Sequence, residues 1–179
     1  MLQPKVNLDA TFESIRRFRA RTMIGVPTLY RMILEHDRLD QYDMSSVDYW
    51  YSAGDVLPVE VGKRWMDKFG KPIYQGYGAT ETCGGVSMCP TDIDNPPKSI
   101  GRIVASKSVK IVDPAFLKPV DPGKPGELIV SSKHMVDRYI NKPEETADTY
   151  VDIDGETWCR MGDFVSALPT GELIYMERS

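Results

Sequence analysis

The chain has 179 residues, 41% of them hydrophobic, and a formal net charge of −4. That length holds one large domain or two small ones, and the hydrophobic share supplies a core that a disordered chain lacks. The acidic balance excludes the basic stripe of a nucleic-acid binder, and no apolar run approaches the ~18–20 residues of a transmembrane segment. The opening MLQPKVNLDATFES lacks the apolar region of a signal peptide. Cys83, Cys89 and Cys159 are too few and too scattered for a disulfide framework or a zinc site. They read as reduced thiols in a cytoplasmic protein.

The first half alternates helix and strand signals. Asp9 is expected to cap a helix whose apolar residues Phe12, Ile15 and Phe18 fall three apart. TMIGV (22–26) reads as a short buried strand. Pro27 opens a second helix with Leu29, Met32 and Ile33 on one face. VDYWYSA is a second strand, rich in β-formers. Pro58 opens a third helix with Val59, Gly62, Met66 and Phe69 along one side and Gly70 at its end. KPIYQ is a third strand. Strand, helix, strand, helix, strand predicts parallel pairing with right-handed crossovers. Trp50, Tyr51 and Met66 are read as core, and His36 as a surface or helix-end residue.

From about residue 97 the pattern changes. NPP, VDP, DPGKPG, DIDG and LPTGE are turn signals. Between them lie VKIVD, GELIVSS and GELIYME, with one helical interruption, KPEETADTY. The expected fold class is therefore α/β: a partial parallel-sheet subdomain over 1–96, then a small antiparallel β-rich subdomain, or distorted barrel, over 97–179.

The informative stretch is IYQGYGATETCGG (73–85). In an open parallel sheet, ligands sit outside the carboxyl ends of the strands. Both this stretch and Ser52-Ala53-Gly54-Asp55 leave such ends, with small residues that let backbone approach a flat ligand. Tyr77, between glycines, can stack on a base; Thr80 can donate to a phosphate; Glu81 can hold Mg²⁺, which prefers oxygen ligands and bridges to phosphate. On spacing alone the plainer readings stay open: Tyr77 as packing, Asp163 as a turn residue, Arg178 as a solvated charge. No G-x-x-x-x-G-K-[ST] loop and no G-x-G-x-x-G occurs.

YQGYGATET resembles the Y-G-x-T-E motif of the adenylate-forming (AMP-binding) superfamily of acyl-CoA synthetases, luciferases and peptide-synthetase adenylation domains. GELIVSS…VDRYINKPEETADTY resembles its G-E-L-x-V-x-G…G-Y-x-x-x-P-E-x-T, and DGETWCRMGDFVSALPTGELIYMER its D-G-W-x-x-T-G-D…G-x-L-x-x-x-G-R. GVPTLYRMIL and YSAGDVLP resemble two further motifs in the same order. The resemblance implies adenine against Tyr77, with Gly54, Asp55, Gln75 and Gly76 lining the base. It implies phosphate at Thr80, Mg²⁺ at Glu81, and ribose at Asp163 and Arg178. Cys83, Gly84 and Gly85 fall in the implied acyl pocket.

The chain departs from the pattern at Met161, Arg138 and Glu177. The implied activity is ATP-dependent activation of a carboxylic acid, with a fatty acid as the narrow expectation, through an acyl-adenylate to a thioester with coenzyme A. The alternatives are a peptide-synthetase adenylation domain or a non-catalytic adenylate-binding scaffold. The family's phosphate loop and its lysine-bearing C-terminal domain are expected outside this chain, in further portions of the same protein. No catalytic residue is therefore assigned within the chain, turnover by the chain alone is not expected, and an uncovered sheet edge and apolar helix faces predict self-association or a partner chain.

Overall fold

The structure, a computed structural model, describes residues 6–178. It divides into two compact units, Met1–Tyr74 and Gln75–Ser179. The sequence placed its boundary about twenty residues later, where the turn signals thicken. The chain between those points is the strand pair β3 (Ile73–Ala79) and β4 (Gly84–Met88), and β4 is hydrogen-bonded to β5 (Ser99–Ile103), which ties the pair to the second unit.

In the first unit, α1 (Leu8–Phe18) is capped by Asn7, whose Oδ1 accepts the Ala10 N–H at 2.9 Å. Asp9, expected as the cap, lies inside the first turn. Its carboxylate takes the Tyr42 hydroxyl at 2.7 Å, the Arg38 guanidinium and His36 Nε2 at 3.3 Å. The strands β1 (Thr22–Gly25) and β2 (Tyr49–Ser52) pair in parallel, Thr22 opposite Tyr49, with α2 (Pro27–Leu34) between them. A 3₁₀ turn (Leu39–Gln41) follows α2, and α3 (Val59–Phe69) follows β2, ending at Gly70 in the left-handed region, φ 63°.

The core of this unit is Phe12, Ile15, Tyr30, Ile33, Trp50, Val61 and Trp65 with smaller neighbours. Trp65 meets Tyr30 and Trp50 edge-on at 4.9 Å each. Three expected faces are therefore corrected. The buried residues of α3 are Val61 and Trp65, while Val59 and Met66 are exposed. The buried residues of α2 are Pro27, Tyr30 and Ile33, and Met32 is exposed. Strand β1 alternates exposed and half-buried because it ends the strand order, with Ile24 67% exposed.

The second unit is antiparallel throughout its strand pairs. Its strands run in the order β3, β4, β5, β10 (Leu173–Arg178), β9 (Glu156–Ala167), β7 (Gly126–Ser131) and β6 (Ser108–Val112), with β8 (Tyr150–Ile153) paired to β9. This is the antiparallel β-rich unit expected from the sequence, and among the described residues no pairing closes the path into a barrel. Strand β7 is buried along its whole length. One core joins Val86, Ile100, Leu128, Val130, Cys159, Met161, Val165 and Leu173; a smaller one joins Val112, Ile129 and Trp158. The helix α4 (Pro143–Thr149) has no buried residue. No helix among the described residues is long and apolar enough to cross a membrane.

Candidate functional site

The glycine-rich stretch is an antiparallel hairpin. Tyr77 pairs with Ser87 and Gly78 with Gly85, with a bulge between Tyr77 and Gly78. Gly78 is obligatory: a Cβ there would stand 2.4 Å from the Gly84 carbonyl oxygen. The turn between the strands is Thr80-Glu81-Thr82-Cys83. Thr82 is fully buried. Its Oγ1 accepts the Ala79 N–H at 3.3 Å and lies 2.9 and 3.0 Å from the Ala79 and Gly84 carbonyls. Thr82 thus plugs the turn from inside and leaves Thr80 and Cys83 exposed and Glu81 half-buried. Cys83 takes a left-handed φ of 52° to start β4, where Gly84 and Gly85 are exposed.

Asp163 reaches this region from β9. Along β9 the residues Cys159, Met161, Asp163 and Val165 alternate onto the buried face. The period of two therefore aims a carboxylate at the core, where it needs hydrogen-bond partners. Tyr77, 86 positions earlier, donates its hydroxyl to Asp163 Oδ2 at 2.5 Å. Tyr175 Oη lies 3.5 Å from Oδ1. Arg178, paired with Asp163 in the β9–β10 ladder, holds Nε 3.9 Å from Oδ1 while its side chain stays 76% exposed. Burial, and then the bond to Asp163, raises the Tyr77 phenol well above its ordinary range, so it stays a neutral donor. Oδ1, with the two longer contacts, is the oxygen with acceptor capacity left for an incoming hydroxyl.

Glu81 is held from a different direction. Tyr139, between β7 and α4, donates its hydroxyl to Glu81 Oε1 at 2.7 Å. That bond, ahead of burial, raises the Tyr139 phenol. The Val136 N–H donates to the Glu81 carbonyl at 2.9 Å. Lys107 Nζ donates to the Thr82 carbonyl and sits 3.2 Å from Ser132 Oγ. A hard divalent cation fits this donor set. Oε2 of Glu81 carries no hydrogen bond among the described residues, and the turn beside it is exposed; Glu81 is not part of any group of three or more His, Cys, Asp or Glu side chains among the described residues, so other ligands would have to come from phosphate and water. One carboxylate completed by phosphate and water is the usual coordination of Mg²⁺.

The structure thus brings Tyr77, Asp163 and Arg178 together and sets Thr80, Glu81 and Cys83 on one turn. Gln75 and Gly76 lie on β3, and the Gln75 amide donates to the Ser99 carbonyl at 3.0 Å. Gly54 and Asp55 belong to the first unit, just after β2. There Gly54 has φ 88° and Asp55 Oδ1 accepts the Val56 N–H at 2.7 Å. The departing residues also find their places. Met161 is 8% exposed in the second unit's core, and the Arg138 side chain is 73% exposed. Tyr175, Tyr139 and Lys107 were missed from the sequence. The two tyrosines lay inside quoted motifs, but a phenol gives no hint of its target; Lys107 carried no signal.

One turn thus carries a hydroxyl and a carboxylate, and the strand that leads into it carries an aromatic hydrogen-bonded to a carboxylate on β9. The chain belongs to the AMP-binding enzyme family, whose model matches residues 1–140. It is 31% identical over 160 residues to a luciferin 4-monooxygenase of Nipponoluciola cruciata, covering 89% of this chain and 28% of that one. It is 33% identical to a long-chain-fatty-acid–CoA ligase of Escherichia coli O6:H1 (96% and 30% covered) and 32% identical to a benzoate–CoA ligase of Thauera aromatica (95% and 31%). Among solved structures, an anthranilate CoA ligase in complex with anthranoyl-AMP superposes with a TM-score of 0.84 at 26% identity, over 99% of this chain and 33% of that one. A benzoate CoA ligase from Burkholderia xenovorans does so at 0.77 and 30%, over 95% and 34%. The chain spans about a third of the length of these relatives.

Proposed function

We propose that the chain is the nucleotide-gripping part of an ATP-dependent acid–CoA ligase that forms AMP. The reading rests on one observation above all: the hydrogen bond of Tyr77 to Asp163 across 86 positions. In this reading the Tyr77 ring stacks on adenine, with Gln75 and Gly76 beside it on the same strand. Asp163 accepts the ribose hydroxyls through Oδ1, and Arg178 adds a cation at the same edge. Thr80 donates to the phosphate. Glu81 holds Mg²⁺, which neutralises phosphate charge as a substrate carboxylate approaches. Gly54 and Asp55 line the base in this reading, and Cys83, Gly84 and Gly85 line the acyl pocket.

The acid is a carboxylic acid, and the narrower proposal is a long-chain fatty acid, supported by the Escherichia coli ligase. Relatives named for benzoate, anthranilate and luciferin make an aromatic acid the competing choice. The acyl-adenylate then passes to coenzyme A, and a cytoplasmic setting suits the three free thiols.

Calorimetry with a non-hydrolysable acyl-adenylate, such as a dodecanoyl-sulfamoyl adenosine, tests the grip. The wild-type chain is expected to bind, and Asp163→Ala and Tyr77→Ala to lose about tenfold or more in affinity, as for a lost hydrogen bond to a charged group or a lost stacking partner. Binding that is indifferent to both substitutions would overturn the reading.

A further inference from the structure

Glu81 is clamped at two points by one short segment. The Val136 N–H holds its main-chain carbonyl at 2.9 Å, and the Tyr139 hydroxyl holds its side chain at 2.7 Å. Tyr139 is itself fixed, since its own N–H donates to Thr146 Oγ1 of α4 at 3.0 Å, and its ring lies 6.2 Å from that of Tyr150. The Thr146 hydroxyl in turn donates to the Lys142 carbonyl at 2.6 Å, inside the first turn of that helix. A helix with no buried residue of its own thus braces a phenol against a carboxylate 58 positions upstream.

We propose that Tyr139 is a positioning residue for a divalent cation: it engages Oε1 of Glu81 and thereby presents Oε2 to a metal–phosphate ligand. This rests on the reading above that Glu81 takes the cation. A glutamate on an exposed turn has three side-chain torsions to lose on binding a metal. A phenol that immobilises one oxygen removes most of that loss beforehand, and it leaves the second oxygen no choice of direction.

The test uses the ¹⁵N-labelled chain titrated with Mn²⁺ in the presence of ATP, a paramagnetic probe that reports weak sites through line broadening. The amides of Thr80–Cys83 and Val136–Tyr139 are expected to broaden together. Glu81→Gln should abolish the effect, and Tyr139→Phe should raise the apparent Kd for Mn²⁺ about three- to tenfold. Shifts caused by ATP without metal should be the same in wild type and Tyr139→Phe, which a general loosening of the fold would not leave intact. Glu81→Asp, which draws the carboxylate back from the phenol while keeping its charge, is the second variant. It should weaken Mn²⁺ similarly, and adding Tyr139→Phe to it should cost little more. If Glu81→Gln loses the metal while Tyr139→Phe and Glu81→Asp titrate as wild type or more tightly, the positioning role falls and the cation site stands. If Glu81→Gln titrates as wild type, or the wild-type turn shows no broadening, the cation site falls and takes the positioning role with it.

Discussion

Cys159 shows how burial sets the chemistry of one residue. It is fully buried in the core of the second unit, and that burial, with the Glu81 charge as the lesser cause, pushes its thiol from 9.0 up to about 12. The folded chain therefore keeps a proton that the unfolded chain gives up, and stability is complete below about pH 9 and falls as pH rises toward 12. Denaturant melts between pH 8 and 10 should show stability flat to about pH 9 and then declining, by up to ~1.4 kcal/mol per pH unit from this group. Cys159→Ala should remove that part of the slope whatever it does to the absolute value, and an unchanged slope would contradict the assignment. At this scale the sequence was legible where a residue's neighbours in the chain define it. Gly70 ends its helix as expected, and Asp163 stood out through the resemblance of its motif. It was illegible where the partner is remote. Nothing near Tyr139 or Tyr175 in the chain names a carboxylate, and the Asn7 cap was passed over for Asp9, whose charge is spent instead on Tyr42, Arg38 and His36.

The elements themselves were better read than their faces. In α3, residues 61 and 65 and residues 62 and 66 have the same spacing, so periodicity offers two adjacent stripes and does not choose between them. The choice is made by Trp65, whose ring fills the space among Tyr30, Trp50 and Phe69. Trp65→Ala is expected to cost about 3–5 kcal/mol by urea melting. Met66→Ala, on the exposed stripe, should stay within about 0.5 kcal/mol; comparable losses at both would restore the stripe read from sequence. The hairpin was hidden for a related reason. The stretch was read as a small-residue loop leaving a strand end, and the turn back into β4 was not; Gly78 is needed where β4 passes too close for a Cβ, while Gly84 and Gly85 have open space at theirs. Sequence marks a glycine without saying whether a ligand or another strand needs the room.

At the scale of the molecule, the first unit presents Phe18, Ile24, Val26 and Val59 at 50–67% exposure, and among the described residues the strand order ends at β1. Open strand edges and apolar patches of this kind are normally covered. The chain, about a third as long as its relatives, is expected to self-associate, with a weight-average mass that rises with concentration in sedimentation equilibrium. Introducing a lysine in place of Ile24 should shift that curve toward the monomer, and a wild-type chain monomeric across the range would contradict it. The proposed grip on a nucleotide would depend on a tyrosine and an aspartate 86 positions apart, and a junction so distant along the polypeptide is expected to close late, after nearer pairings have formed. A nascent chain emerging from the ribosome would carry every side chain of the hairpin long before it could recognise a ligand. Affinity should accordingly track completion of the last two strands, and a nucleotide present during refolding should act as a staple on the finished sheet while leaving its early assembly untouched.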